Sequence, residues 1–133
     1  VAGTPMDFYT PHIIGERIDT DTDQLRWARG YDHTYILDKE LDKLAIASRC
    51  SSPKTGIVME VYTDQPGVQL YTGNWMSGNL RGKHDHRYPA RAALCLETQH
   101  YPDSPNKPEY PSTRLNPGET FRSTTIFRFT LEA

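Results

Sequence analysis

One glutamate of this sequence has the surroundings that acid–base chemistry requires. In ALCLETQH, residues 93–100, the side chains of a strand alternate between faces, so Glu97 shares a face with the small residues Ala93 and Cys95. A glutamate has an unperturbed pKa of about 4.3, and partial burial would raise that pKa towards the value of a base useful near neutral pH. Two interpretations stay open: a carboxylate at the floor of a small pocket, or an exposed strand residue paired with an arginine.

A second titratable residue follows this glutamate closely. His100 lies three residues after Glu97. On a strand, residues three apart point to opposite faces. The sequence therefore predicts that Glu97 and His100 do not form an acid–base couple.

Two short polar segments resemble metal sites only in part. In DTDTDQ, residues 19–24, an EF-hand would need glycine at position six and glutamate at position twelve, where Gln24 and Gly30 stand. In KHDHR, residues 83–87, two histidines fall short of the three or four ligands that zinc takes. We therefore predict a solvated acidic loop and a polar hairpin tip.

The overall composition excludes several classes of protein. The chain has 133 residues, 15 basic and 17 acidic, with a net charge of -2. That balance provides no electrostatic field for a nucleic-acid backbone, and no apolar run approaches the length of a membrane span. Cys50 and Cys95 do not form a disulfide framework. Residues 1–133 are predicted to form a single β domain or part of one.

The elements that position these residues are predicted to be strands. Alternation of apolar and polar residues predicts strands over residues 33–38, 44–49, 56–64, 67–75 and 119–131. Gln65-Pro66-Gly67 matches a type II turn and predicts a hairpin between the third and fourth of them. Residues 37–45 are the only helix-like segment, or else a charged connection, and the proline-rich residues 102–117 are predicted to be a loop. The predicted class is all-β, an antiparallel β-sandwich.

Four segments in order resemble one family. They are TPMDFYTPHIIGERI (4–18), GYDHTYIL (30–37), VYTDQPGVQLYTGNW (61–75) and YPARAALCLETQHYPDSPNKPEYPSTRLNPGE (88–119). Together they resemble the C-terminal portion of the aldose 1-epimerases, the galactose mutarotases. The resemblance implies an antiparallel β-supersandwich with one concave cleft.

The resemblance also implies roles for three residues. Glu97 matches the catalytic base, and Asp32 and Gln69 match residues that hold sugar hydroxyls. The implied substrate is a monosaccharide, an aldohexose, and no cofactor or metal is implied. By alternation with Gln69, Trp75 is expected to offer an apolar platform to the sugar.

One departure from the family bears on activity. The family's acid is a histidine from its N-terminal portion, and no histidine of this chain lies in a matching motif. The five histidines are His12, His33, His84, His86 and His100. Three hypotheses follow: a mutarotase whose other portion is supplied by another chain or lost, a non-catalytic carbohydrate-binding module, and an oligomerising half-sandwich. The expected partner is a second copy or a chain carrying the N-terminal portion.

Overall fold

The computed structural model describes residues 1–132, and strands make up most of their regular structure. The strands are β1 Asp32–Ile36, β2 Ala45–Ser51, β3 Ile57–Thr63, β4 Gly67–Tyr71, β5 Ser77–Arg81, β6 Arg87–Pro89, β7 Cys95–Gln99 and β8 Thr125–Leu131. Two short helices, α1 Ile14–Arg17 and α2 Asp23–Ala28, and two 3-10 turns, Lys83–Asp85 and Ser104–Asn106, complete the set. The predicted all-β class is confirmed.

The strands form three sheets. Their orders are β1-β4-β7, β2-β3-β8 and β5-β6. The pairs β2–β3, β3–β8 and β5–β6 are antiparallel. The β5–β6 pair encloses residues 83–85, so the predicted polar hairpin tip is confirmed.

The predicted hairpin between residues 56–64 and 67–75 is wrong. β3 and β4 follow each other in the chain but belong to different sheets. Gly67 is not among the residues with positive φ. A Cβ at this position would lie 3.1 Å from Thr34 Cγ2 and 3.1 Å from the Tyr101 ring. Glycine therefore favours close packing here, since a Cβ would require these side chains to shift by a few tenths of an ångström. A turn-like triplet does not determine which strands pair.

The helices were not predicted. α1 has four residues and α2 has six, too few to show a helical period in the sequence. α2 ends at Ala28 and is capped by Arg29, whose φ of 59° is left-handed. Residues 37–44 form the connection that was the alternative to a helix, Ala45 begins β2, and residues 102–117 contain no strand.

The chain divides into two compact units. The first unit comprises Val1–His33 and Leu70–Cys95, and the second comprises Thr34–Gln69 and Leu96–Ala133. Ile18, Leu25, Tyr31 and Leu70 are buried in the first unit; Val58, Val61 and Val68 are buried in the second. A single β domain over residues 1–133 stays a prediction.

The second unit exposes one apolar sheet face. In β8, Phe127, Phe129 and Leu131 alternate onto one face and are 49%, 64% and 73% exposed. Ile57, opposite Leu131 in the register, is 46% exposed. The strand begins later than predicted, and Phe121 lies before it. An exposed apolar patch of this kind is typical of a surface that packs against another protein segment.

A buried polar cluster holds the first unit together at Tyr31. The Tyr31 N–H donates to Thr72 Oγ1 (3.1 Å), and Thr72 Oγ1 donates to Asn74 Oδ1 (2.6 Å). Asn74 Nδ2 donates to the Tyr31 carbonyl at 2.8 Å. Gly30, with a φ of +142°, leaves room for Asn74, because a Cβ there would lie 2.4 Å from Asn74 Oδ1.

We expect Thr72→Val to lower the free energy of unfolding by about 1–3 kcal/mol, because it leaves the buried Tyr31 N–H without an acceptor. Urea denaturation measures this change, with an unaltered m-value. Thr20→Val, at an exposed threonine of the same unit, is the control. Equal stability of the two variants would contradict the role assigned to Thr72.

Candidate functional site

The second unit places Glu97 and Gln69 on one face of the same sheet. Glu97 and Gln99 are two residues apart on β7, so their side chains share a face. Gln99 Nε2 donates to Gln69 Oε1 at 3.2 Å and contacts Thr34 Oγ1 at 3.3 Å. Thr34 Oγ1 donates to Gln69 Oε1 at 2.8 Å. The structure therefore brings two of the three predicted site residues to one surface.

These contacts fix the orientation of the Gln69 amide. One atom of the Gln69 amide receives hydrogen bonds from two donors, the Thr34 hydroxyl and the Gln99 N–H. Only the amide oxygen can accept both, so this atom is Oε1. Side-chain amides held in one orientation discriminate between donors and acceptors of a ligand.

Thr34 and Gln99 were missed in the sequence. The signal that was available is their spacing, two residues after Asp32 and Glu97 respectively, because alternation returns a side chain to the same face.

The surroundings of Glu97 differ from the expectation. Its side chain is exposed, so of the two interpretations left open by the sequence, this chain shows an exposed strand residue and not a carboxylate at the floor of a pocket. β7 begins at Cys95, which leaves Ala93 outside the strand, and Cys95 is exposed. The expected floor of small residues is therefore missing, because the strand is shorter than its apolar pattern suggested.

Asp32 lies in the first unit, half-buried at the start of β1. Its N–H donates to His33 Nδ1 at 3.0 Å. Burial lowers the pKa of His33, while the Asp32 carboxylate and a hydrogen bond with the Gln24 backbone partly offset that effect. His33 is therefore a neutral imidazole near pH 7, with Nδ1 as an acceptor.

His100 has a partner other than Glu97. Its Nδ1 lies 2.9 Å from Gln65 Oε1. The prediction that Glu97 and His100 do not form a couple is confirmed.

The expected platform at Trp75 is not on a strand. β4 ends at Tyr71, and Gly73 turns the chain with a φ of +66°. The Trp75 N–H donates to Tyr71 Oη at 3.1 Å, and the Arg29 guanidinium lies 4.4 Å from the centroid of the Trp75 ring. A cation–π contact therefore covers one face of this ring. Alternation with Gln69 was the wrong argument here, because it holds only inside a strand.

No group of three or more His, Cys, Asp or Glu within residues 1–132 is arranged to hold a metal ion. Cys50 and Cys95 are both free thiols. Asp23 and Gln24, from the acidic segment 19–24, begin α2. No helix of the described chain has the length and apolar character to cross a membrane.

Comparison with known proteins identifies the family by sequence and the fold by structure. The chain is 41% identical to the galactose mutarotase of Mus musculus and 40% identical to that of Homo sapiens, each over 131 residues. Those matches cover 98% of this chain and 36% of each relative. It is 38% identical over 135 residues to the aldose 1-epimerase of Escherichia coli K12, covering 99% of this chain and 38% of that protein.

A solved structure shares the fold. A GalM/aldose epimerase homologue from C. elegans superposes with a TM-score of 0.81 at 24% identity, over 98% of this chain and 38% of that one. The chain thus spans little more than a third of the length of the relatives it matches. The family model for aldose 1-epimerase matches residues 1–128, and the chain therefore belongs to the aldose 1-epimerase family.

Proposed function

We propose that this chain supplies the general base and part of the sugar site of an aldose 1-epimerase, which interconverts the α and β anomers of a free aldohexose such as galactose or glucose. One observation carries the proposal. The exposed Glu97 carboxylate lies on the same sheet face as an oriented Gln69 amide, so one group can take a proton while the other holds a hydroxyl.

The reaction requires two proton transfers and no exchange of groups at carbon. Glu97 takes the proton of the anomeric hydroxyl while an acid protonates the ring oxygen. The ring opens, the aldehyde end rotates, and the ring closes on the other face. Each positioned proton-transfer group contributes typically about 10²–10⁴-fold. These steps need no cofactor from the protein.

The exposure of Glu97 suits a base that must reach substrate. In this chain the carboxylate is open to solvent, and a bound sugar would itself remove water from it. The loss of that water would strengthen the carboxylate as a base when substrate is present. Gln69 is proposed to bind sugar hydroxyls on the same face.

Asp32 is proposed as a further hydroxyl ligand, a role that rests on its match to the family pattern. It is half-buried, and His33 beside it is a neutral imidazole near pH 7. The pairing of Asp32 with a sugar would use carboxylate–hydroxyl hydrogen bonds.

The acid is proposed to come from outside this chain. The half-buried His33 accepts the Asp32 N–H, and His100 is bonded through Nδ1 to Gln65. His84 and His86 lie at the exposed β5–β6 tip. The relatives have nearly three times the matched length, which leaves room for a segment carrying the acid and the other side of the sugar site.

We expect Glu97→Gln, made in a protein that carries the whole family length, to lower kcat for mutarotation by about 10²–10⁴-fold, because the amide cannot accept the anomeric proton. KM should change little, since the shape of the site is kept. Polarimetry on freshly dissolved α-galactose measures both. Glu40→Gln, at an exposed glutamate in the connection 37–45, is the control. A Glu97→Gln variant with most of the parental rate would refute the assignment.

The 133-residue chain by itself should be a poor catalyst. Without the acid we expect a rate about 10²–10⁴-fold below that of a family-length enzyme. Optical rotation after addition of α-glucose gives this rate, and the same chain with Glu97→Gln reports how much of the residual rate comes from the base. A rate equal to that of a family-length mutarotase would show that a histidine of this chain acts as the acid.

The apolar face of β8 should drive association with a second copy or with a chain carrying the remaining family length. Burying Phe129 and Leu131 removes apolar surface worth about 25 cal/mol per Å² from water. We expect sedimentation velocity to show an oligomer, which Phe129→Ser with Leu131→Ser dissociates. Leu80→Ser, at a leucine 79% exposed in the first unit, should not. A monomer that unfolds cooperatively would exclude self-association.

A further inference from the structure

A cleft in the second unit is separate from the residues proposed for epimerisation. Its volume is about 680 Å³, which is within the range of about 300–1,000 Å³ typical of small-molecule sites. Its walls include Asp42, Gln65, His100, Arg114, Phe121 and Arg122. Neither Gln69 nor Glu97 lines it.

A buried amide fixes the protonation of the histidine in this cleft. Gln65, which is 7% exposed, donates from Nε2 to Ser123 Oγ (3.0 Å) and Asp64 Oδ1 (3.4 Å). Its Oε1 is therefore the atom 2.9 Å from His100 Nδ1, and Nδ1 must carry the proton. In the neutral ring Nε2 is then an acceptor, and within residues 1–132 no protein group bonds to it. The cleft thus contains a half-buried acceptor with a set tautomer.

The charged groups of the cleft balance one another. Arg114 and Arg122 have no ion-pair partner in the described part of the chain, and neither has Asp42. Burial raises the pKa of Asp64, but hydrogen bonds from Ser123, the Thr124 N–H and Gln65 outweigh it, so the net pKa is lowered and the group is ionised near pH 7. Two arginines and two aspartates leave no net charge when His100 is neutral. The cleft therefore favours neither an anion nor a cation.

The cleft also has a solvent-exposed aromatic ring, that of Phe121, beside these polar groups. Phe121 is 63% exposed and Leu115 is 54% exposed, and both line the cleft. A flat apolar ring beside hydrogen-bond donors and hydrogen-bond acceptors matches a ligand that has an apolar face and hydroxyl groups around its rim. A pyranose ring has this form.

We propose that this cleft binds a neutral, polyhydroxylated ligand, a pyranoside, at a second site distinct from that of Glu97. Phe121 stacks on the C–H face of the sugar ring. Arg114 and Arg122 donate to hydroxyl oxygens, and Asp42 and His100 Nε2 accept from hydroxyl protons. The site needs no ring opening, so it is independent of the proposed epimerisation.

The test is an NMR titration of the intact protein with methyl β-D-galactopyranoside. This probe has a blocked anomeric hydroxyl and cannot be epimerised. We expect saturable shifts of the His100 imidazole signals and the Gln65 side-chain amide at millimolar sugar. Phe121→Ala and Arg122→Ala should each weaken that binding by roughly tenfold, equivalent to about 1.4 kcal/mol. Circular dichroism confirms that these variants at exposed positions are folded.

Matched controls separate this site from the proposed catalytic one. Leu80→Ala removes an exposed apolar side chain outside the cleft and should leave the affinity unchanged. Glu97→Gln should lower the rate of mutarotation and leave the glycoside-induced His100 shifts intact, so that failure of either proposal can be recognised separately. Two results would overturn this one: saturation of the same signals by inorganic phosphate but not by the glycoside, or equal glycoside affinity in the parent and Phe121→Ala.

Discussion

The passage of the chain from one sheet to another at residues 63–67 is the constraint on which the second unit depends. Thr63 is fully buried and Gln65 almost so, although both are polar. Burial of polar groups is tolerated only when they are hydrogen-bonded. Thr63 Oγ1 accepts the Gln65 N–H at 3.1 Å and contacts the Thr124 carbonyl at 3.3 Å. These bonds anchor the point at which β3 ends and β4 begins.

The two surfaces that we propose as ligand sites in the second unit both adjoin this segment. Before the crossing, Gln65 orients His100 and thereby one wall of the cleft. After it, β4 presents Gln69 to Thr34 and Gln99. Gly67 lets the backbone pack closely against Thr34 and Tyr101, because a Cβ at this position would lie only 3.1 Å from their side chains. A buried, fully bonded crossing therefore gives both surfaces a rigid origin, which precise positioning of ligands requires.

The candidate base and its neighbours differ in how firmly they are held. Gln69 is tied by a hydroxyl and an amide, whereas Glu97 is exposed. A preorganised binding group beside a reactive group that is still solvated suits an enzyme whose site is completed only when substrate and the opposite wall arrive. The open apolar face of β8 agrees with that view, since it too lacks a covering layer within this chain.

The sequence by itself determined the family, the all-β class and the two central strands around Met59 and Gln69. It also predicts Glu97 as the base, and that assignment stays a prediction. Period-two alternation and the order of motifs are local properties of the sequence, so they can be recognised without knowledge of the tertiary structure. Only the tertiary structure decided that β3 and β4 lie in different sheets, that Trp75 stacks on Arg29, that Glu97 is exposed, and that Gln65 fixes the proton on His100. Each of these features depends either on contacts between residues distant in sequence or on where a strand ends. Short-range patterns do not encode which distant group will satisfy a buried hydrogen bond.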